Sequence, residues 1–155
     1  MELNYLVAYL GVALACALAG IGSAVGVGIA AQASTGVMSV DPKKFGKLLL
    51  LTALPGTQGI YGFVIAFLLI QKIALFTGEN PLTMVVGWKI FAAGLPIALA
   101  GLMSGIHQGK VCAGGAMMTA KQPDDSAKAL ILAVFVEFYA ILGFLVSFLM
   151  LGQIG

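Results

Sequence analysis

The stretch LNYLVAYLGVALACALAGIGSAVGVGIAAQASTGVMSV, residues 3–40, contains 38 residues and no charged side chain. About 20 apolar residues are enough for a helix to cross the hydrocarbon core of a bilayer. If the whole stretch is helical, it is about 57 Å long, whereas the hydrocarbon core is about 30 Å thick. This stretch therefore predicts a transmembrane helix that projects beyond the bilayer.

Three more long apolar runs follow along the chain. Residues 48–71 and 90–109 contain no charge, and residues 129–155 contain a single acid, Glu137. Each run is long enough for one span and too short for two. The sequence therefore predicts four transmembrane helices, over about residues 4–39, 45–75, 84–119 and 127–153.

The composition supports a membrane protein. Of the 155 residues, 61% are hydrophobic and only 9% are charged. A soluble domain carries about 25% charged residues, so the composition excludes a soluble enzyme, a disordered linker and a nucleic-acid-binding protein. The net charge of +2 comes from eight Lys and six acids, without any Arg. We predict an all-α integral membrane protein.

The first helix could instead be a cleaved signal peptide. Such a peptide begins with a positively charged segment, whereas the second residue of this chain is Glu2. Residues 13–16 read Ala-Leu-Ala-Cys and match a lipoprotein cleavage site only loosely, because the Leu stands one place late. We expect the first helix to be a span.

The lysines predict the orientation in the membrane. The first and third turns are flanked by five of them, and only two flank the second turn. By the positive-inside rule, the loops between helices 1 and 2 and between helices 3 and 4 are cytoplasmic. We therefore predict a multi-pass protein of the cell membrane with both termini outside. The five lysines are Lys43, Lys44, Lys47, Lys121 and Lys128.

The two halves of the chain are related by a duplication. A shift of 81 residues, without a gap, places Ser23 on Ser104, Pro42 on Pro123, Lys47 on Lys128 and Gly62-Phe63 on Gly143-Phe144. Each half is predicted to be a helical hairpin, residues 1–80 and 81–155. Because the shift covers two spans, the repeats are parallel and related by an axis along the membrane normal.

Small residues recur at four-residue spacing in the first helix of each hairpin. Such stripes let helices approach closely in lipid, and Gly costs about 1 kcal/mol against Ala inside a helix. A tightly packed inner layer of helices would explain them, and a compact monomeric bundle is the alternative. The stripes are Gly20, Ala24 and Gly28, then Gly101, Gly105 and Gly109.

Glu137 is the only acid within a predicted span. An ionisable residue at this depth is costly, and it indicates a functional site. A structural ion pair is the alternative, but we expect no Lys at the same depth. The 81-residue shift places Gly56 at the equivalent position, so that one carboxylate serves two hairpins.

Polar side chains accompany this carboxylate. Pro55 lacks an N–H and interrupts the second helix; beyond it, Gln58 and Tyr61 share a helix face with Leu54. Thr57 is adjacent, and Gln108 is the matching polar residue in the third helix. A set of oxygens with one negative charge suits a hard monovalent cation, whereas a proton needs little beyond the carboxyl group. The set favours sodium over the proton.

Two segments resemble a known family. They are PGTQGIYG, residues 55–62, and EFYAILG, residues 137–143. Both resemble the proteolipid (rotor-ring) subunit of V-type rotary ATPases, especially its sodium-translocating bacterial branch. SGIHQGK, residues 104–110, is similar to the third-helix motif of that branch.

The resemblance implies a homo-oligomeric ring of identical copies in the lipid bilayer, turning against a stator subunit. A central-stalk subunit would contact the cytoplasmic loops. The chain would have no catalytic site and no organic cofactor. The implied Na⁺ ligands (H⁺ being the alternative) are the Leu54 carbonyl and the side chains of Thr57, Gln58, Gln108 and Glu137, with Tyr61 bonded to the carboxylate. The resemblance assigns no role to His107, which we interpret as a packing residue.

A different class of function remains open at this point. The four helices could form a small secondary transporter or channel with Glu137 as its substrate-ion site. The parallel repeat with one carboxylate favours the rotor subunit, because a self-sufficient transporter should have a wider polar lining. The mass of the detergent-solubilised particle distinguishes a large ring from a monomer or dimer.

Overall fold

The computed structural model describes residues 2–76 and 80–154. In these ranges the chain forms five helices: α1 Leu3–Met38, α2 Phe45–Ala53, α3 Thr57–Ile73, α4 Met84–Lys121 and α5 Ser126–Leu151. Short 3-10 turns, Pro42–Lys44 and Leu54–Gly56, join α2 to its neighbours, and Pro123–Asp125 precedes α5. Four stretches are long and apolar enough to cross a membrane. The predicted all-α fold with four spans is therefore confirmed.

The ends of the spans differ by up to four residues from the predicted bounds. The second span extends from Pro42 to Ile73, against the predicted residues 45–75. Pro42 and Pro123 open the turns that precede α2 and α5, where a missing N–H is harmless because no helical acceptor would be available. The two hairpins were predicted to divide between residues 80 and 81. Residues 77–79, just before that point, lie outside the described residues.

The long helices α1 and α4 pack against each other along most of their length. A Cβ on Gly22 would lie 2.6 Å from Leu102 Cα, and one on Gly105 would lie 2.6 Å from the carbonyl carbon of Gly22. Backbone therefore touches backbone at these positions. This contact gives the glycines the packing role that their cost to helix stability requires.

The two predicted stripes differ in where they lie. Gly101, Gly105 and Gly109 all face α1, as expected. The stripe on α1 does not take part in the contact with α4 inside one chain, and its packing role stays a prediction: α1 meets α4 through Gly22 and Gly26, among others. A Cβ on Gly20 or Gly28 would have no atom of the described chain within 4 Å, and Ala24 is exposed.

The second helix of each hairpin lies against the first. Gly62 of α3 packs on Ala15 and Ala19 of α1, and Gly143 of α5 packs on Ala100 and the Pro96 carbonyl of α4. The helices thus form two layers, with α1 and α4 in one and α2, α3 and α5 in the other.

Pro55 interrupts the second span as the sequence predicts. The backbone forms a 3-10 turn over Leu54–Gly56 and resumes as α3 at Thr57. The N–H of Gly59 in the first turn of α3 donates to Ser23 Oγ of α1 at 2.7 Å. This bond fixes the start of α3, and with it the side chains of Thr57 and Gln58.

We expect Gly26→Ala to destabilise the chain although Ala is the better helix former. The added Cβ would meet the Gly105 backbone and lie 2.9 Å from Pro55 Cβ. Overpacking of this kind costs about 1–3 kcal/mol, more than the roughly 1 kcal/mol that Ala gains in helix propensity. Thermal unfolding of the detergent-solubilised protein measures the effect. The control is Gly46→Ala, whose Cβ would meet nothing within 4 Å in the described chain; equal stability of the two variants would contradict the packing role.

Candidate ion-binding site

Glu137 of α5 lies between α3 and α4, with only 6% of its surface exposed. One carboxylate oxygen, Oε1, accepts hydrogen bonds from the hydroxyl of Thr57 at 2.7 Å and of Tyr61 at 2.8 Å. The other, Oε2, accepts from Gln108 Nε2 at 2.7 Å and from Gln58 Nε2 at 3.2 Å. Four side-chain donors therefore surround one acid.

Three helices supply these groups. The start of α3 provides Thr57, Gln58 and Tyr61; Thr57 and Tyr61 are four residues apart and share a helix face, and Gln58 is adjacent to Thr57. Gln108 comes from α4, just before the glycine that packs on Gly26. Gln58 and Gln108 are completely buried, whereas Thr57 and Tyr61 are half-buried. The structure thus brings all the predicted side chains into one cluster.

Further contacts connect the cluster to the backbone. Thr57 Oγ1 lies 2.9 Å from the Leu54 carbonyl oxygen as well as close to Glu137. Because a hydroxyl has one hydrogen, Thr57 can donate to only one of these acceptors at a time. Gln58 Nε2 also donates to Gln108 Oε1 at 2.6 Å. The Leu54 carbonyl is therefore part of the cluster, as predicted.

One partner of the site was not predicted from the sequence. Gln108 Nε2 donates to the backbone carbonyl of Ala133 at 3.0 Å, in addition to its bond with the carboxylate. Ala133 precedes Glu137 by four residues, so it lies one turn away on the same face of α5. That spacing is the only signal in the sequence that could have indicated it.

No cation of the described chain pairs with Glu137. The ion pairs found there lie at the helix ends, such as Lys47 with Asp124 at 3.3 Å and Lys128 with Asp125 at 2.8 Å. The expectation that no Lys lies at the depth of Glu137 is wrong, because Lys110 follows Gln108 by two residues, or about 3 Å along the helix. Lys110 is exposed and makes no ion pair with Glu137. The carboxylate therefore needs a proton or a cation to balance its charge.

The oxygen atoms that the cluster can offer as ligands fit a hard cation. Gln58 Oε1 is buried and has no hydrogen-bond partner in the described chain. Rotation of an amide by half a turn exchanges its oxygen for its nitrogen, so that Gln58 and Gln108 can offer oxygen where they now offer N–H. Within the described residues, no group of three or more His, Cys, Asp or Glu side chains could hold a metal ion. Oxygen ligands with one carboxylate select hard ions over soft ones.

The remaining reactive side chains lie outside the cluster. His107 is exposed on a different face of α4 from Gln108. Cys16 is exposed and Cys112 is buried, and both are free thiols. The aromatic ring of Tyr61 packs on Phe144, with 5.6 Å between the ring centroids.

The chain is similar to several characterised proteins. V-type sodium ATPase subunit K of Enterococcus hirae is 48% identical over 143 residues, covering 92% of this chain and 88% of that protein. A-type ATP synthase subunit K of Methanocaldococcus jannaschii is 40% identical over 141 residues, 91% of this chain and 60% of that protein. The 16 kDa proteolipid of the human V-type proton ATPase is 25% identical over 146 residues, 92% of this chain and 89% of that protein.

The pattern of the ATP synthase C-subunit family matches this sequence twice, over residues 10–69 and again over residues 91–150. Each match covers one hairpin, in agreement with the duplication. The chain therefore belongs to the ATP synthase C-subunit family, as a multi-pass membrane protein of the duplicated, V-type proteolipid kind.

Proposed function

We propose that this chain is the ion-carrying ring subunit of a rotary ATPase, and that it binds and carries Na⁺ at Glu137. The observation that carries the proposal is a single buried carboxylate held by four side-chain donors, without a lysine partner in the described chain. Such a group can remain in lipid only when a bound ion balances its charge. The Glu137 carboxylate is therefore suited to binding and releasing one ion.

Sodium is favoured over the proton by the neutral groups around Glu137. A proton site needs the carboxyl and one acceptor, whereas this cluster also contains two amides, a hydroxyl and a backbone carbonyl. The Gln58 oxygen without a partner would complete the coordination of a cation. A relative named as a sodium ATPase subunit is 48% identical, and a relative named as a proton ATPase subunit is 25% identical. H⁺ remains the alternative cargo.

In the proposed mechanism, Glu137 carries the charge and the other residues hold it in place. Thr57 and Tyr61 donate to Oε1, so the carboxylate keeps its orientation when the ion leaves Oε2 and the two glutamines. The ion binds where the site faces an aqueous path and is carried through lipid as the ring turns. The ion is released from Glu137 where the site faces a stator subunit. ATP chemistry belongs to other subunits, since members of this family are non-catalytic proteolipids.

The partners follow from this role. Identical copies would form the ring, and a central-stalk subunit would contact the turns before α2 and α5. The lysines at these turns support a cytoplasmic location by the positive-inside rule, which places both termini outside. A self-contained secondary transporter is the less favoured function, because two matches to the ATP synthase C-subunit family cover residues 10–69 and 91–150.

We expect a hydrophobic carbodiimide to label Glu137 in a sodium-sensitive manner. The reagent attacks a protonated carboxyl group, and a bound Na⁺ would exclude that proton. Labelling should become faster as pH falls, and sodium should slow it where potassium does not. At a hundred times the dissociation constant, mass action predicts labelling about a hundredfold slower. Mass spectrometry of the modified peptide measures the rate.

The control for labelling is Glu137→Gln. This variant should assemble normally but show neither labelling nor coupled ion transport in the complex. Labelling of Glu137 that ignores sodium at every pH tested would identify a proton site. Undiminished transport by Glu137→Gln would rule out this residue as the carrier.

We expect Gln108→Ala to weaken sodium binding by about fivefold or more. The change removes one oxygen ligand from a buried site, which costs about 1–3 kcal/mol. Proton uptake should suffer less, because a carboxyl group needs only one acceptor. The sodium concentration that halves carbodiimide labelling measures the effect. Gln71→Ala is the control, since Gln71 is an exposed glutamine outside the cluster; equal values for the two variants would show that Gln108 serves packing alone.

The orientation is tested with single cysteines in a chain that lacks Cys16 and Cys112. Val40 lies in the first turn and is 87% exposed, and Gln153 is exposed near the C-terminus. A membrane-impermeant thiol reagent added to intact cells should label Gln153→Cys and not Val40→Cys. Inside-out vesicles should show the opposite pattern. Labelling of Val40→Cys from outside would reverse the proposed orientation.

A further inference from the structure

A groove of mainly apolar lining lies between α3 and α5, near the ends of both helices. Its volume is about 380 Å³. One wall contains Leu68 in α3 and Leu75 just after it, and the other contains Phe148 and Leu151 of α5. Leu75 and Phe148 are exposed. The groove therefore presents an open apolar cleft on the layer of helices that contains α3 and α5.

The wall from α5 is held in place by a row of aromatic rings. Phe148 stacks on Phe144, with 6.2 Å between the ring centroids, and Phe144 packs on Tyr61 of α3 at 5.6 Å. Gly152 follows Phe148 by four residues on the same face, and it has no side chain to close the end of the groove. The cleft is thus formed in advance, so that a ligand loses little affinity to the ordering of its walls.

The groove crosses the boundary between the hydrocarbon core and the lipid headgroups. Gln58 is in the middle of the second span, Pro42–Ile73. Leu68 lies about 15 Å further along the helix axis, and Lys72 lies about 21 Å further. From the middle of a bilayer, the hydrocarbon extends about 15 Å and the headgroups extend to about 20–22 Å. With the middle of the span at the middle of the bilayer, Leu68 is at the depth of the acyl chains and Lys72 is at the depth of the phosphates.

Two polar side chains of α3 lie at the headgroup end of the groove. Lys72 belongs to the last turn of α3 and is half-buried, and the amide of Gln71 beside it is exposed. None of the ion pairs found among the described residues involves Lys72. The described lining contains this one positive charge and no acid. Its electrostatics therefore complement an anionic group at the membrane surface.

We propose that the groove between α3 and α5 binds a phospholipid with an anionic headgroup. The phosphate lies at the Lys72 ammonium and the Gln71 amide, and the upper part of an acyl chain lies between Leu68 and Phe148. A zwitterionic lipid also has a phosphate, but its own ammonium group would lie beside Lys72, where the described lining has no acid to accept it. The proposal concerns the chain in its membrane and does not rest on which ion Glu137 carries.

The lipid site is tested by photo-crosslinking in vesicles. The protein, in the assembly in which it is purified, is reconstituted into phosphatidylcholine with a trace of phosphatidylglycerol that carries a diazirine near the start of one acyl chain. After illumination, mass spectrometry of the digested protein maps the labelled residues. Label should appear at Leu68 and Phe148. Its yield should be about five times that of phosphatidylcholine with the same diazirine, as expected for one lysine at the membrane surface.

Substitution of the lysine separates charge recognition from apolar contact. Lys72→Gln should lower labelling by phosphatidylglycerol about fivefold, to the yield of the phosphatidylcholine probe. Lys72→Arg keeps the charge and should keep the labelling. The matched control is Lys89→Gln, which removes a lysine at the same end of the chain but outside the lining of this groove. Its labelling at Leu68 should equal that of the unchanged chain.

Three results would overturn the proposal. Equal yields for the two probes would mean that bulk lipid covers the groove without recognition of its charge. Undiminished labelling of Lys72→Gln would exclude the lysine as the headgroup ligand. Label on Leu149, an exposed neighbour of Phe148 on α5, but not in the groove would show that another protein segment covers the groove. Charge-dependent lipid labelling of a protein whose Glu137 ignores sodium would support the lipid site and contradict only the sodium assignment.

Discussion

The structure depends on keeping one carboxylate among apolar helices without a fixed positive partner. Glu137 satisfies its oxygens with neutral donors, which stabilise a charge but do not cancel it. A lysine within reach would have formed a permanent ion pair and removed the need for a mobile ion. Lys110, although close in depth, lies on another face of α4. The charge can then be balanced only by a proton or a cation that binds and leaves.

The close contact of α1 and α4 serves this site. Gln108 belongs to α4, and the donors of the first hairpin belong to α3, which is fixed to α1 through Ser23 and Gly59. The distance between the two amides is therefore set by how closely α1 and α4 approach. Contact of backbone on backbone, at Gly26 and Gly105, brings Gln58 Nε2 to 2.6 Å from Gln108 Oε1. Larger residues at the glycines would separate the two halves of the site.

Much of this arrangement could be predicted from the sequence, because its signals are strong and local. Uncharged runs of fixed length indicate spans, Pro55 indicates the break, and a lone acid in lipid indicates a site. Which face of α1 meets α4 could not be predicted. Small residues lie all around that helix, so that the Gly20 and Gly22 faces both have the required spacing. Only packing of the whole chain distinguishes them, and for the same reason the Ala133 carbonyl was missed.

The duplication has allowed the two hairpins to specialise. The first has a glycine, Gly56, where the second has Glu137, and it has the Pro55 break where α5 continues as a regular helix. The break turns Thr57 and Gln58 toward the acid of the other hairpin, while the unbroken α5 holds that acid rigidly. A single hairpin would have to provide both the carboxylate and the break in the helix. Divided between two repeats, the neutral hydrogen-bond donors and the carboxylate are each placed by a backbone suited to them, with one carboxylate for every four spans.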